Sequence, residues 1–307
     1  MKTFTINKND ANQRLDKFIR KAFPKISLPS IFKYIRTKKI KVNDKKADIS
    51  YKVKINDKVS VYLNDDLVSN EVKSNDFLLA KNYLKIVYED DNIIIVDKPI
   101  GVTVQDDNTK NPDTLCNRLL HYLYDKEEWN PSIETTFIPS FVHRLDKNTS
   151  GLIIAAKNID ASRILSEKIK NREIDKYYLA RVWGIITPKD GLLHAFLTER
   201  SNDNIVKITS KPISDDSKEI LTEYHTLSHD TDTSVLEVHL ITGRKHQIRA
   251  HMNYIGHPLV GEKKYTIPSV AKSAKNKYQD LTSYKIVFNF KTSAGILEYL
   301  NKKTIKK

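Results

Sequence analysis

Residues 140–158 of the 307-residue chain read SFVHRLDKNTSGLIIAAKN. A polar turn separates a short apolar segment from the run LIIAA at residues 152–156. A short continuous apolar run bounded by turn residues is typical of a strand that is buried on both faces. Such a turn can hold a carboxylate rigidly at the end of a sheet, and the carboxylate here is Asp146. The tetrapeptide RLDK at residues 144–147 also occurs at residues 14–17, so these four letters alone do not decide what Asp146 does.

The segments on either side of this stretch predict a mixed order of strands and helices. Strands are predicted within residues 84–104 and 233–242, and helices within residues 114–124 and 243–256, from their alternating or helical spacing. Strand and helix patterns do not repeat regularly, which disfavours a doubly wound parallel sheet. We therefore expect an α+β domain with a mixed, largely antiparallel sheet flanked by helices.

The first 63 residues predict a separate small module of two helices and a sheet. The first helix carries apolar residues at helical spacing, namely Leu15, Phe18, Ile19 and Ala22. Ser27 is a suitable N-cap for a second helix, and short alternating segments near residues 40–49 and 58–63 predict strands. The predicted division is a module at residues 1–63, a polar linker at 64–84, a larger domain at 85–300 and a frayed basic tail at 301–307.

The positive charge of the chain is concentrated in that module. Residues 1–63 contain 17 Lys and Arg against 5 Asp and Glu, whereas the remaining residues contain 35 against 33. A compact module with this excess favours a polyanion such as nucleic acid, although a generally lysine-rich composition is an alternative explanation. The candidate RNA-binding residues on its helices are Arg14, Lys17, Lys33, Arg36, Lys38 and Lys39.

Several classes of protein are disfavoured by composition. Cys116 is the only cysteine, so no internal disulfide can form. No apolar run approaches the ~20 residues that span a bilayer, and the N-terminus lacks the apolar segment of a signal peptide. The histidine spacings match no zinc pattern, and no glycine-rich phosphate loop occurs. We therefore expect a cytoplasmic protein that does not associate with a membrane, and the missing motifs disfavour a metal or nucleotide cofactor. We also expect a monomer.

Taken alone, the polar residues of the site have simpler explanations than catalysis. Asp146 fits a turn aspartate that caps local backbone groups, and its spacing by itself favours that interpretation. In the predicted helix after Gly243, the helical period places Arg249 with His246 on a polar face, opposite an apolar stripe. An arginine on such a face is more often solvated than functional.

Four segments together resemble the RluA-type pseudouridine synthase family. They are VHRLDKNTSGLIIAAKN (142–158), VDKPIGVTV (96–104), KYYLARVWG (176–184) and TGRKHQIRAHMNYIGHPLVGEKKY (242–265). Their order and separation also fit the family over residues 85–270, and residues 1–63 resemble the RNA-binding module named after the fourth small-subunit ribosomal protein.

The resemblance implies that the protein isomerises uridine to pseudouridine in RNA. By the family motifs, Asp146 is the essential carboxylate, which either attacks the nucleotide or removes a ribose proton. Tyr178 matches the family tyrosine that stacks near the uracil and can serve as a base. The adjacent Tyr177 is the alternative match. Arg249 pairs with the carboxylate, and Arg144 fills the space that the everted base leaves.

The family members that carry the N-terminal module point to large-subunit ribosomal RNA as substrate. Transfer RNA is the alternative within the same enzyme class. From other classes, a non-catalytic ribosome-assembly or RNA-binding protein remains open, and so does a nucleoside glycosidase. The glycosidase is disfavoured because it requires a second catalytic carboxylate, which the motifs do not supply.

Overall fold

The small module is present in the computed structural model, which describes residues 1–63, 75–106, 111–199, 205–267 and 277–307. Its elements are strands β1 (Lys2–Thr5), β2 (Ile40–Val42) and β3 (Lys58–Val61) and helices α1 (Leu15–Ala22) and α2 (Leu28–Arg36). The antiparallel sheet has the order β1-β3-β2. All four apolar residues predicted to face inward on α1 are buried, and the Ser27 hydroxyl accepts a hydrogen bond from the Ser30 N–H at the start of α2.

Asp16, in the first copy of RLDK, is part of the packed module. The i, i+4 spacing in the helix predicts an exposed carboxylate that pairs with Arg20, but Asp16 is only 6% exposed. Both of its carboxylate oxygens accept hydrogen bonds from the Arg14 guanidinium at 3.0 Å, and the Lys17 N–H donates to one of them. The extended backbone at Arg14 brings its side chain beside the first turn of the helix, so Asp16 stabilises the helix start.

The remaining strands form one large sheet. They are β4 (Ile86–Glu89), β5 (Ile93–Lys98), β6 (Ser140–Phe141), β7 (Ser150–Ala156), β8 (Ile174–Trp183), β9 (Asp190–Glu199), β10 (Val206–Thr209), β11 (Lys218–His229), β12 (Thr233–Leu240), β13 (Leu281–Phe288) and β14 (Thr304–Lys306). The order along the sheet is β10-β9-β11-β12-β8-β13-β7-β5-β4, with β6 beside β7 and β14 beside β13. Every described pair is antiparallel except β13 with β7. The predicted α+β class with a largely antiparallel sheet is confirmed.

Helices cover both faces of this sheet at β7. These helices are α3 (Leu115–Asp125) and α4 (Ile159–Lys170), and a third helix, α5 (Gln247–Tyr254), follows β12. Ile153 of β7 packs in the core that contains α3, whereas Ile154 packs in the core that contains α4. Burial on both faces explains why the run after the turn is continuously apolar rather than alternating.

Two segments differ from the expected linker and tail. Residues 64–74 of the expected linker lie outside the described residues, but Phe77 and Leu84, within residues 75–84, pack in or against the core of the larger domain. The Phe77 ring contacts Trp129 edge-on with a centroid separation of 5.4 Å. At the other end, residues 304–306 pair with β13, and the Lys307 ammonium lies 3.0 Å from Asp97, so residues 301–307 are not a frayed tail.

Polar contacts join the module to the loop before β6. The Thr136 N–H and hydroxyl both donate to Asp10, at 3.0 and 2.5 Å. The side-chain amides of Asn7 and Asn9 donate to Glu134 at 3.2 and 2.9 Å. These hydrogen bonds hold the basic module next to the segment that leads into the Asp146 turn.

A buried ion pair at the end of α4 gives a pH prediction. Lys168 donates to Glu173 at 2.8 Å, and this hydrogen bond lowers the pKa of Glu173 from its ordinary value of 4.5 to about 2. Between those values the unfolded chain takes up a proton that the folded chain does not, so the free energy of unfolding should decrease as the pH falls from 4.5 towards 2. Urea unfolding at several pH values measures this slope. The substitution Glu173→Gln should flatten it, and an equally steep slope in that variant would contradict the assignment.

Candidate active site

Asp146 lies in a turn between β6 and β7 that is tied to the neighbouring strand. The Thr149 N–H donates to the Asp146 carbonyl at 3.0 Å and closes the turn. Gly151, at the start of β7, has φ +111°, and a Cβ there would lie 2.0 Å from the carbonyl oxygen of Ser283. Only glycine permits this close approach of β7 to β13. The contact fixes the position of the start of β7, and therefore of the turn that precedes it. The Asp146 side chain is 20% exposed and faces a cleft.

The segment after β5 supports the same turn from beneath. Lys98 is fully buried, and its ammonium donates to the carbonyl oxygens of Pro99, Val102 and Lys147 at 2.8–3.0 Å. The Gly101 N–H also donates to the Lys147 carbonyl. Burial lowers the pKa of Lys98 to about 8, although the Asp146 carboxylate opposes the shift. The loop at residues 98–102 and the residue after Asp146 are therefore held as one unit.

Arg249 reaches Asp146 from α5. Its Nη1 donates to the Asp146 carboxylate at 3.0 Å, and Arg249 is 9% exposed. The interpretation of Arg249 as a solvated arginine is therefore wrong. The helix begins at Gln247 rather than directly after Gly243, because the preceding His246 has a left-handed φ of 54°. Arg249 is the third residue of this helix and lines the cleft.

Glu262 holds the other side of the same guanidinium. Its carboxylate accepts from Arg249 Nε at 2.7 Å and from Nη2 at 2.9 Å, in a bidentate pair, and its side chain is fully buried. The Lys264 N–H donates to it as well, at 2.8 Å. Burial by itself would lower the pKa of Arg249, but Glu262 and Asp146 raise it well above its ordinary value. Arg249 therefore stays charged between two carboxylates.

Sequence reasoning missed the role of Glu262. The residue lies within the quoted block VGEKKY, but it is 13 residues after Arg249 in a loop, beyond the reach of a helical wheel. The sequence signal that could have indicated this role is that Glu262 is an acidic residue in a block otherwise rich in Lys and Arg.

The two tyrosines of β8 point to opposite faces of the sheet. Tyr178 is 4% exposed and lines the cleft with Asp146. Tyr177 instead stacks on His239 on the other face, with ring centroids 4.6 Å apart. Burial and the Asp146 carboxylate raise the pKa of Tyr178, so its hydroxyl is a neutral phenol at pH 7. It can stack and donate a hydrogen bond there, but it cannot act as a phenolate base without losing that proton.

Two histidines in the cleft are uncharged. Burial lowers the pKa of His143 to about 3, and its Nε2 accepts a hydrogen bond from the Ile154 N–H. Burial also lowers the pKa of His246 to about 4, although Asp146 lies 3.7 Å from its ring. The positive charge facing Asp146 therefore comes from arginine and lysine, not from imidazolium.

The predicted RNA-binding residues are accessible. Arg144 is exposed and lines the cleft, which has a volume of about 960 Å³. The six candidates on the module, Arg14, Lys17, Lys33, Arg36, Lys38 and Lys39, are all exposed. Within the described ranges, no group of three or more His, Cys, Asp or Glu side chains could hold a metal ion. No helix among the same residues is long and apolar enough to cross a membrane.

Comparison with known proteins finds a family match for both parts of the chain. Residues 92–254 match the family described as RNA pseudouridylate synthase, and residues 13–59 match the S4 domain. An uncharacterized RNA pseudouridine synthase of Mycoplasma genitalium is 37% identical over 295 residues, which cover 93% of this chain and 88% of that protein.

A second relative has a more specific name. The ribosomal large subunit pseudouridine synthase C of Buchnera aphidicola is 32% identical over 279 residues, 89% of this chain and 83% of that protein. Among solved structures, human RNA pseudouridylate synthase domain containing 1 shares the fold with a TM-score of 0.56. It is 24% identical and covers 73% of this chain and 83% of that chain.

Proposed function

This chain belongs to the RNA pseudouridylate synthase family, and we propose that it isomerises specific uridines of large-subunit ribosomal RNA. It is an RNA pseudouridine synthase with an N-terminal S4 domain. The choice of ribosomal RNA is supported by the relative named a ribosomal large subunit synthase and by the basic module, which suits a large structured RNA. The observation that carries the assignment of the site is the convergence of Asp146, Tyr178 and Arg249 on one cleft.

We propose these three residues as the catalytic set. The reaction breaks the bond from ribose C1′ to uracil N1 and forms a bond from C1′ to C5, while C5 loses a proton and N1 gains one. An ionised Asp146 can attack the nucleotide or take a ribose proton, and Arg249 keeps its carboxylate oriented at 3.0 Å. Tyr178 provides the ring against which the detached uracil can stack while it turns.

Access to the base requires that the uridine leave the RNA stack. Enzymes that modify a base inside structured nucleic acid flip it into a pocket. Arg144 lies exposed at the cleft, and its planar guanidinium can stack where the base was. The six basic residues of the S4 module supply the sequence-independent attraction for phosphates.

Tritium release tests this proposal. Large-subunit ribosomal RNA and transfer RNA, each labelled with tritium at uridine C5, are incubated separately with the protein. We expect release from the ribosomal RNA alone, because each isomerisation replaces the C5 hydrogen with the bond to ribose. Release from transfer RNA only would contradict the proposal that ribosomal RNA is the substrate. RNA binding with no release from either would support the non-catalytic alternative.

The burial of Arg249 argues against that alternative. Arg249 is enclosed between Asp146 and Glu262 and holds the Asp146 carboxylate where it faces the cleft, an arrangement that RNA binding alone does not require. We also propose that the protein acts as a cytoplasmic monomer, in which the S4 domain ends near residue 63 and residues 75–84 belong to the catalytic domain.

A further inference from the structure

The cleft continues past the catalytic set, along β8 towards the turn that follows α4. Five basic residues line this extension, and we call them the basic arm: Arg144, Lys170, Arg172, Lys176 and Lys291. Lys176 lies two residues before Tyr178 on the same strand, so both side chains face the cleft. The arm is therefore continuous with the position of the target uracil.

Among the residues that the structure describes, no carboxylate forms an ion pair with four of the five arm residues, and only Lys176 interacts with a carboxylate, that of the adjacent Asp175. The two acidic residues nearby are engaged elsewhere. Glu173 is bound by the buried Lys168 at 2.8 Å, and Asp175 lies 3.2 Å from His239. Arg144, Lys170, Arg172 and Lys291 are exposed, whereas Lys176 is partly buried. Exposed lysines and arginines that line one groove without counter-ions form the electrostatic footprint of a polyanion site.

The length of the basic arm exceeds that of one nucleotide. A strand rises about 3.3 Å per residue, so Ile174 at the start of β8 lies about 13 Å from Tyr178, and Arg172 lies beyond it in the turn after α4. Its apolar lining consists of aliphatic side chains, Val142, Ile169 and Ile174, rather than aromatic rings. A groove with several cations and no stacking ring contacts the backbone of RNA more than its bases.

We infer that the basic arm binds the phosphates of a single-stranded RNA segment on one side of the target uridine. This inference rests on the proposed function, because it places the arm next to the uridine bound at Asp146. The arm would hold the strand that is pulled out of the RNA when the base is flipped, without selecting its sequence.

The test compares two double variants that lose the same charge. In Lys170→Ala/Arg172→Ala the arm loses two exposed cations, and in Lys189→Ala/Lys306→Ala the protein loses two exposed cations outside the cleft. The probe is an oligouridylate of about 16 nucleotides, the upper length that one single-strand groove covers. The dissociation constant of the full-length protein is measured over a range of salt concentrations.

The arm variant should show a shallower salt dependence. Each phosphate contact in a single strand contributes about 0.7 to the slope of log affinity against log salt, so two lost contacts should reduce the slope by about 1.4. The control variant should keep both the wild-type slope and the wild-type turnover of ribosomal RNA at saturation.

Equal slopes for the arm and control variants would overturn the inference. A loss of turnover at saturation with an unchanged slope would overturn it as well, since the arm would then act in the chemical step. Tritium release by the wild-type protein is scored separately. If it fails while the slope still falls, the proposed function is wrong but the arm remains an RNA-binding surface.

Discussion

Replacing Asp146 with asparagine should reduce tritium release by about 10³-fold or more, with little change in RNA affinity. Asparagine has nearly the same shape, but it is neutral and can neither attack ribose nor take up a proton. Loss of a proton-transfer group alone typically costs 10²–10⁴ in rate. Arg249 keeps its bidentate bond to Glu262, so the cleft should stay folded in the variant. Steady-state tritium release and filter binding measure the two quantities.

The other RLDK sequence supplies the control. Asp16→Asn changes the same residue in the same tetrapeptide, but its carboxylate is bonded to Arg14 in the S4 domain. This variant should keep wild-type turnover at saturating RNA. If Asp146→Asn turned over normally, the assignment of the site would be wrong, whatever the control showed.

Replacing Glu262 with glutamine should destabilise the protein and slow catalysis together. Removing one partner of a buried ion pair typically costs about 3–5 kcal/mol, because the other charge remains buried. We expect the lower end of this range, since Asp146 still contacts Arg249. Glutamine offers one acceptor in place of two, so the guanidinium should lose its fixed orientation. A displacement of about 1 Å at a catalytic group can cost 10²-fold in rate.

Glu173→Gln separates these two effects. Glu173 is another buried glutamate that is bonded to a buried cation, but its partner is Lys168, away from Asp146. Urea unfolding should show a loss of stability in both variants, whereas turnover at saturating RNA should fall only in Glu262→Gln. A Glu262→Gln protein that is folded and fully active would show that Glu262 does not position Arg249.

Features that depend on local periodicity could be predicted from the sequence. Leu15 and Phe18 are buried as the helical spacing indicated, and the run at residues 152–156 is a strand covered on both faces. In these cases the segment itself determines which face is apolar, and any partner of suitable size can cover it.

The site depends on contacts between distant segments, which no local pattern contains. The helical wheel predicted that Arg249 lies on a polar face. It could not show that Glu262, from a later loop, binds the Arg249 guanidinium. The three carbonyl oxygens that surround Lys98 come from two segments about 50 residues apart. Asp16 was assigned the wrong partner because a helical i, i+4 rule omits Arg14, which precedes the helix.

The position of β13 sets the order in which the protein can assemble during translation. This strand, residues 281–288, lies between β7, which follows Asp146, and β8, which carries Tyr178. The S4 domain is complete by residue 63, so at ribosomal speeds of about 5–20 residues per second it emerges on the order of ten seconds or more before β13. If the proposed roles hold, we expect a nascent chain to bind RNA before it can modify RNA, because the proposed catalytic residues come together only near the end of synthesis.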